Sequence, residues 1–241
     1  MWYLKKREKK FEEKSQLVVR SPDGAPWAAF PPSVVDPIRR LISRLSRNEQ
    51  IPARLSFVSA LRREGVSYIS WAFATTMAHD VETSVCIVDL NWWWPSEFAA
   101  NFPGSAGLGA VLAGETPLES VVVLTGNPNL AILPAGQIPS EERSYLARSA
   151  VLNETLLELN ARYDHLILDV PAILASNDAI PLASFGTACC LVIHQGVTAV
   201  EEVKSALSDL NHLIHLGVVM NKYHLATPEF ILKFINPYSF A

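Results

Sequence analysis

Ser59-Ala60-Leu61-Arg62-Arg63-Glu64-Gly65-Val66-Ser67 follows the short apolar run 55–58 and precedes a stretch of helical character over 68–78. A loop between a buried strand and a helix turns backbone N–H groups toward an anion when glycine lets the chain bend closely around it. A complete loop of this kind adds a lysine for the terminal phosphates and a Ser or Thr hydroxyl for Mg²⁺. Gly65 and Ser67 stand where the last glycine and the hydroxyl belong, and Val66 stands where the lysine belongs. Gly-x-Ser before a helix is common, so the loop needs support from the rest of the chain.

That support comes from a repeated alternation. Apolar runs suited to buried strands recur at 55–58, 85–88, 130–133, 166–168, 189–193 and 217–220, with helical stretches at 68–78, 144–162 and 198–214. Strand followed by helix, repeated, predicts an α/β fold: a doubly wound, mostly parallel sheet with helices on both faces. Ligands in such sheets sit beyond the carboxyl ends of the strands. Two of those ends carry carboxylates, Val85-Cys86-Ile87-Val88-Asp89 and Leu166-Ile167-Leu168-Asp169. Asp89 and Asp169 either hold a magnesium ion with Ser67 or cap the turns that follow.

At 241 residues with 49% hydrophobic and 18% charged residues, the chain has material for a sizeable core. A net charge of −4 supplies no global basic field for nucleic acid. Three cysteines, two of them adjacent (Cys189 and Cys190), form neither a disulfide framework nor a spaced metal pair, and a cytoplasmic setting is expected. Residues 1–33 read as a charged, proline-rich arm and linker, 34–225 as the α/β domain and 226–241 as a tail. The cluster Lys5, Lys6, Arg7, Lys9 and Lys10 is either a solvated arm or a lipid-facing basic patch. Pro22, Gly24, Pro26, Pro31, Pro32 and Pro37 make 21–37 a linker on composition. Beyond it Ile38, Leu41, Ile42 and Leu45 predict an amphipathic helix with Arg39, Arg40, Arg44 and Arg47 outward. His194, His212, His215 and His224 have no metal-ligand spacing and are read as structural or surface residues.

Over 34–221 the chain resembles the bacterial tyrosine autokinases and chain-length regulators of capsular and exopolysaccharide synthesis, relatives of the partitioning ATPases with a deviant Walker motif. Residues 59–67 are similar to that family's S-A-x-P-G-E-G-K-S loop, and Cys86-Ile87-Val88-Asp89-Leu90-Asn91-Trp92-Trp93-Trp94-Pro95 to its I-D-A-D-L-R-R-P motif. Leu166-Ile167-Leu168-Asp169-Val170-Pro171 resembles its Walker B strand, followed by an aspartate at Asp178. Gly107-Leu108-Gly109, Leu133-Pro134-Ala135-Gly136, Gln195-Gly196-Val197-Thr198 and Val218-Val219-Met220-Asn221 fall in the family's order.

The resemblance implies ATP and Mg²⁺ as cofactors, with Arg63, Glu64, Gly65, Val66 and Ser67 around the nucleotide and Ser67, Asp89 and Asp169 at the metal. The departures fall on the working groups. Val66 removes a phosphate-binding cation, Arg63 replaces a glycine, Asn91 replaces a second acid, and Trp93 and Trp94 replace arginines. Weak nucleotide binding and little catalysis are therefore expected, with Asp89 and Asp169 vestigial. The alternative is an active autokinase or ATPase in which Arg62 or Arg63 replaces the lysine. Asp36, Arg39 and Ile42 fall at the family's oligomerisation motif, or belong to an ordinary basic helix. Tyr238 near the end reads as a docking or exposed group rather than a phosphosite. Trp92-Trp93-Trp94 either fills an abandoned nucleotide site or anchors a partner or membrane. A membrane-embedded chain-length regulator, or an active paralogue in homo- or hetero-oligomers, is the implied partner, with a location in the cytoplasm or at the inner face of the membrane.

Overall fold

Residues 85–88 and 166–168 are apolar at every position, as strands buried on both faces require. A computed structural model describes residues 16–47, 51–102 and 104–222. In chain order the strands are β1 (Leu17–Arg20), β2 (Pro26–Phe30), β3 (Arg54–Ser59), β4 (Val85–Asp89), β5 (Val123–Leu124), β6 (Leu130–Leu133), β7 (His165–Asp169), β8 (Ala188–His194) and β9 (Ile214–Asn221). The helices are α1 (Pro32–Arg47), α2 (Val66–Asp80), α3 (Gly107–Leu112), α4 (Arg143–Leu146), α5 (Ala150–Asn160), α6 (Ala179–Ala183) and α7 (Val200–Asp209). Seven strands form one sheet in the order β5-β6-β4-β7-β3-β8-β9, and β1 pairs with β2 in a separate hairpin. Only β5 runs antiparallel to its neighbour in the large sheet. The expected doubly wound architecture is present.

Alternate residues of each central strand feed two apolar layers. Val58, Val88, Leu168 and Leu191 face the layer that contains Leu152 and Leu156 of α5. Phe57, Ile87, Ile167 and Val192 face the other, which α2 fills and α1 covers with Val35, Ile38, Ile42 and Leu45. Helix α2 is buried around most of its circumference, and the hydroxyls of Thr75 and Thr76 donate back to the carbonyls of Trp71 and Ala72, both at 2.7 Å. That removes the cost of burying two hydroxyls inside an apolar layer.

Three segments differ from the sequence reading. The proline-rich stretch 21–37 is not a plain linker: it holds β2 and the first turns of α1, with Pro37 inside the helix. Phe30 is fully buried beside Tyr68 and Phe98, so the hairpin is part of the same core as the sheet. The helical stretch 144–162 is broken into α4 and α5, because Ser149 turns extended and its hydroxyl accepts from the Leu152 N–H at 3.2 Å. Helix α7 ends at Asp209, and Ile214 already starts β9. The basic cluster at Lys5–Lys10, Tyr223, Tyr238, His224 and the tail 226–241 lie outside the described residues.

Candidate nucleotide site

Strand β3 delivers the chain to the loop and α2 takes it away, with two left-handed residues shaping the turn: Arg63 at φ 66° and Gly65 at φ 92°. The positive φ favours glycine at 65, and a Cβ there would stand 2.1 Å from Nδ2 of Asn221, whose side chain would have to give up its place. Arg63 has no such freedom, and its conformation costs ~1–2 kcal/mol relative to glycine. The positive φ explains why the family motif has glycine at this place.

Glu64 turns into the protein rather than toward solvent and is 3% exposed. Its carboxylate accepts from the Leu61 N–H at 2.9 Å and from the Thr198 hydroxyl. Behind the loop, Nδ2 of Asn221 donates to the Glu64 carbonyl at 2.9 Å, and Nζ of Lys222 donates to the Arg63 carbonyl at 3.1 Å. The carboxyl end of β9 and the turn after β8 therefore brace the loop from outside.

Val66 opens α2 with its side chain mostly buried, 8% exposed, in the layer that holds Ile69 and Phe73. The loop, the start of α2 and residues 94–98 bound a cleft of about 450 Å³, lined in part by Arg62, Arg63, Ser67, Tyr68, Asn91 and Trp94. Gly65 and Val66 also touch this cleft, so the loop residues named from the sequence are brought together.

Asp89 and Asp169 are paired in register at the ends of adjacent parallel strands. Burial raises the Asp89 carboxyl to about 6, opposed by the Asn91 N–H that donates to Oδ1 at 3.0 Å. Asp169 is 1% exposed and is raised well above the usual carboxylate range, first by burial and then by the neighbouring Asp89. The Ser67 hydroxyl opposes that rise, yet neither oxygen of Asp169 accepts a hydrogen bond of normal geometry among the described residues. Two adjacent carboxylates, the oxygens of Asp169 unpartnered among the described residues, and a nearby hydroxyl fit a hard divalent cation such as Mg²⁺, which supplies the positive charge they lack. The phosphate side does not fit as well, since no lysine rises from the start of the helix. No phosphoryl-transfer step follows from these residues.

The chain is similar to the tyrosine-protein kinase YwqD of Bacillus subtilis, 30% identical over 188 residues that cover 76% of this chain and 78% of that protein. The chain belongs to the bacterial tyrosine-protein kinase family. It is also 26% identical to the tyrosine-protein kinase ptk of Acinetobacter johnsonii over 162 residues, 67% of this chain but 21% of that protein. With wzc of Salmonella typhimurium it shares 32% identity over 117 residues, 48% of this chain and 16% of that protein. The chain thus spans about a fifth or less of the length of these two relatives. No family model matches it. Among solved structures, the kinase domain of VpsO superposes with a TM-score of 0.72 at 25% identity, covering 80% of this chain and 95% of that one. The septum site-determining protein MinD of Pyrococcus horikoshii, solved with Mg-ADP, shares the fold at a TM-score of 0.59 and 22% identity over 76% of each chain.

In this tyrosine-kinase family member the tryptophan triplet divides its work. Trp92 is buried in the core, and its Nε1 donates to the Asp89 carbonyl at 3.3 Å. Trp93 stacks on Trp92 with centroids 5.7 Å apart, and the Arg143 guanidinium lies 6.0 Å from its ring. Trp94 enters the phosphate-loop cleft and carries the Arg62 guanidinium 4.2 Å above its centroid. Trp92 is buried, and Trp93 and Trp94 are half-buried.

Asp178 stays away from the loop: it pairs with Arg148 and accepts from the Ser144 hydroxyl at 2.8 Å, which makes it a structural link between α4 and α6. Ile42, placed with Asp36 and Arg39 by the motif, is buried at 4% exposure and cannot share an outward surface with them. Arg39 pairs with Asp36 at 3.1 Å and with Asp80 at 2.6 Å inside the chain. His212 and His215 are exposed, His212 contacting the Ser184 hydroxyl at 2.7 Å and His215 the Leu210 carbonyl at 2.8 Å. Among the described residues no cluster of three or more His, Cys, Asp or Glu is arranged for a metal. The clamp residues Thr198 and Lys222 gained no role from sequence. Thr198 matched the family's order, which was its only signal.

Proposed function

We propose that this chain is a catalytically impaired family member, a pseudo-kinase that regulates capsular or exopolysaccharide synthesis and export through protein–protein contacts. The observation that carries the reading is Val66, an apolar side chain mostly buried at the first helical residue of the loop, where the family motif has lysine. Without that cation the charge developing on a transferred phosphoryl group loses its main protein counter-charge at this point, a loss of ~10²–10³ in rate by analogy with other single electrostatic deletions. The scaffold around the loop is nevertheless maintained, since Glu64, Thr198, Asn221 and Lys222 all spend their bonds on holding its shape.

A membrane-embedded chain-length regulator or an active paralogue is the partner proposed, met at the inner face of the membrane. The outward arginines Arg40, Arg44 and Arg47 of α1 offer a basic contact surface for it. No described helix is long and apolar enough to cross a membrane. A second reading, an autokinase or ATPase with a non-standard loop, draws on Arg62 in the cleft. The purified chain incubated with Mg-ATP, followed by phosphotyrosine detection and phosphate release, separates the two. No signal above a boiled control is expected. Turnover comparable to an intact family kinase overturns the impaired reading.

A further inference from the structure

A second and larger cavity, of about 820 Å³, lies beyond the carboxyl ends of β4 and β6, where open α/β sheets take their ligands. It meets the phosphate-loop cleft only at Pro95, which lines both, and none of residues 59–67 lines it. One wall is a fixed seam. The Leu108 and Gly109 N–H groups in the first turn of α3 donate to the Pro134 and Ala135 carbonyls at 2.8 and 2.9 Å, and a Cβ at Gly109 would stand 2.2 Å from the Gln137 carbonyl. Those donors are used inside the chain, so Arg143 is the cation that the lining residues bring to the cavity. Its Nε donates to the Ile138 carbonyl at 3.1 Å and its guanidinium lies 6.0 Å from the Trp93 ring, which leaves both terminal nitrogens without a partner among the described residues. A guanidinium held in this way offers parallel N–H donors to an oxyanion at a reduced entropic cost. Glu115, Gln137 and Glu142, all exposed, add hydrogen-bonding groups at the rim, and the buried Trp92, Ile138 and Leu146 form an apolar inner wall.

A ligand that satisfies this set carries one anionic group for the guanidinium, several hydroxyls for two carboxylates and an amide, and an apolar face for the inner wall. A sugar acid holds all three in one rigid frame, and a cavity of this size takes more than a single ring. We propose that the cavity is a second ligand site, which takes an acidic oligosaccharide with a ligand carboxylate on the Arg143 fork and ligand hydroxyls on Glu115, Gln137 and Glu142. Arg143 binds the charge. The two carboxylates at the rim accept from hydroxyls and repel simple organic anions that lack them, which makes the site selective. The inference stands on the cavity and does not depend on whether the phosphate loop turns over ATP.

Titration of the ¹⁵N-labelled full chain with digalacturonic acid, and with maltose as its uncharged counterpart, tests the assignment by NMR. Digalacturonate at millimolar concentration is expected to shift the amides of Gly109, Gln137 and Ile138 and the indole N–H of Trp92, and to bind about tenfold or more tightly than maltose. Arg143→Gln should weaken digalacturonate about tenfold, with Arg143→Lys recovering part of the loss. Ala113→Trp places a large side chain at an exposed rim position, removes no polar group, and should abolish binding of both probes. Lys204→Ala, which removes an equal charge from the exposed side of α7, serves as the control and should bind like wild type. Unmoved amides in β4 and β7 report that each variant is folded. No shifts in the wild type, or unchanged binding in Ala113→Trp, overturns the site. Equal affinity for maltose, or unchanged binding in Arg143→Gln, overturns the role of the arginine and with it the acidic ligand.

Discussion

Asp89 and Asp169 stand directly across from each other at the ends of β4 and β7, a half-buried carboxylate beside a buried one, and neither forms an ion pair among the described residues. Each one's ionisation is opposed by burial, and that of Asp169 by its neighbour as well. A carboxyl whose pKa is higher folded than unfolded binds more protons in the native state, so stability falls as pH rises through the interval. For Asp89 that interval runs from 3.8 to about 6. Above it the native state carries a penalty on the order of 2–3 kcal/mol from this residue.

Asp89→Asn is therefore expected to raise the melting temperature of the metal-free protein at pH 8 by several degrees, and to flatten the fall in stability between pH 4 and 6. Wild type should be stabilised by millimolar Mg²⁺ at pH 8, and Asp89→Asn should lose most of that effect. Differential scanning calorimetry with and without Mg²⁺ reads both. An Asn variant less stable than wild type at pH 8 would refute the account of a strained acid pair.

Arg63 pays a backbone cost for no compensating side-chain bond that the structure records, its φ being 66°. Arg63→Gly should relieve that strain and stabilise the chain by about 0.5–1 kcal/mol after the extra unfolded-state entropy of glycine is subtracted. Urea denaturation would show a higher midpoint at unchanged slope. A lower midpoint would mean that the arginine side chain contributes more to the folded loop than its backbone costs.

Glu64 joins the loop to Thr198 and to its own Leu61 N–H from a buried position. Glu64→Ala leaves both donors without an acceptor and should cost about 2–4 kcal/mol, whereas Glu64→Gln keeps one oxygen acceptor and should cost less than half of that. Chemical denaturation of both variants measures the difference. Equal losses would show that the charge, rather than the hydrogen bonding, is what the loop requires.

The central strands were legible because burial on both faces demands uninterrupted apolar runs, and β4, β6 and β7 have them. The hairpin was not, because Pro26 and Pro31 suggest a linker, while β2 tolerates a proline at its first residue and pairs with a single partner. The break between α4 and α5 was equally hidden. A serine within an apolar, periodic stretch reads as helix until its hydroxyl is seen capping the next one.

Sequence by itself determined the sheet, the loop between β3 and α2, the carboxylates at two strand ends and the absence of the lysine, because each depends on residue type at short range. Only the tertiary structure decided that Asp89 and Asp169 lie in register, that Glu64 faces Thr198, and that Trp94 carries Arg62. Those relationships join residues 32 to 134 positions apart, and the register of parallel strands and the packing of loops bring them together. The valine in the phosphate loop is a local fact. Whether another cation stands near it is a property of the folded cleft.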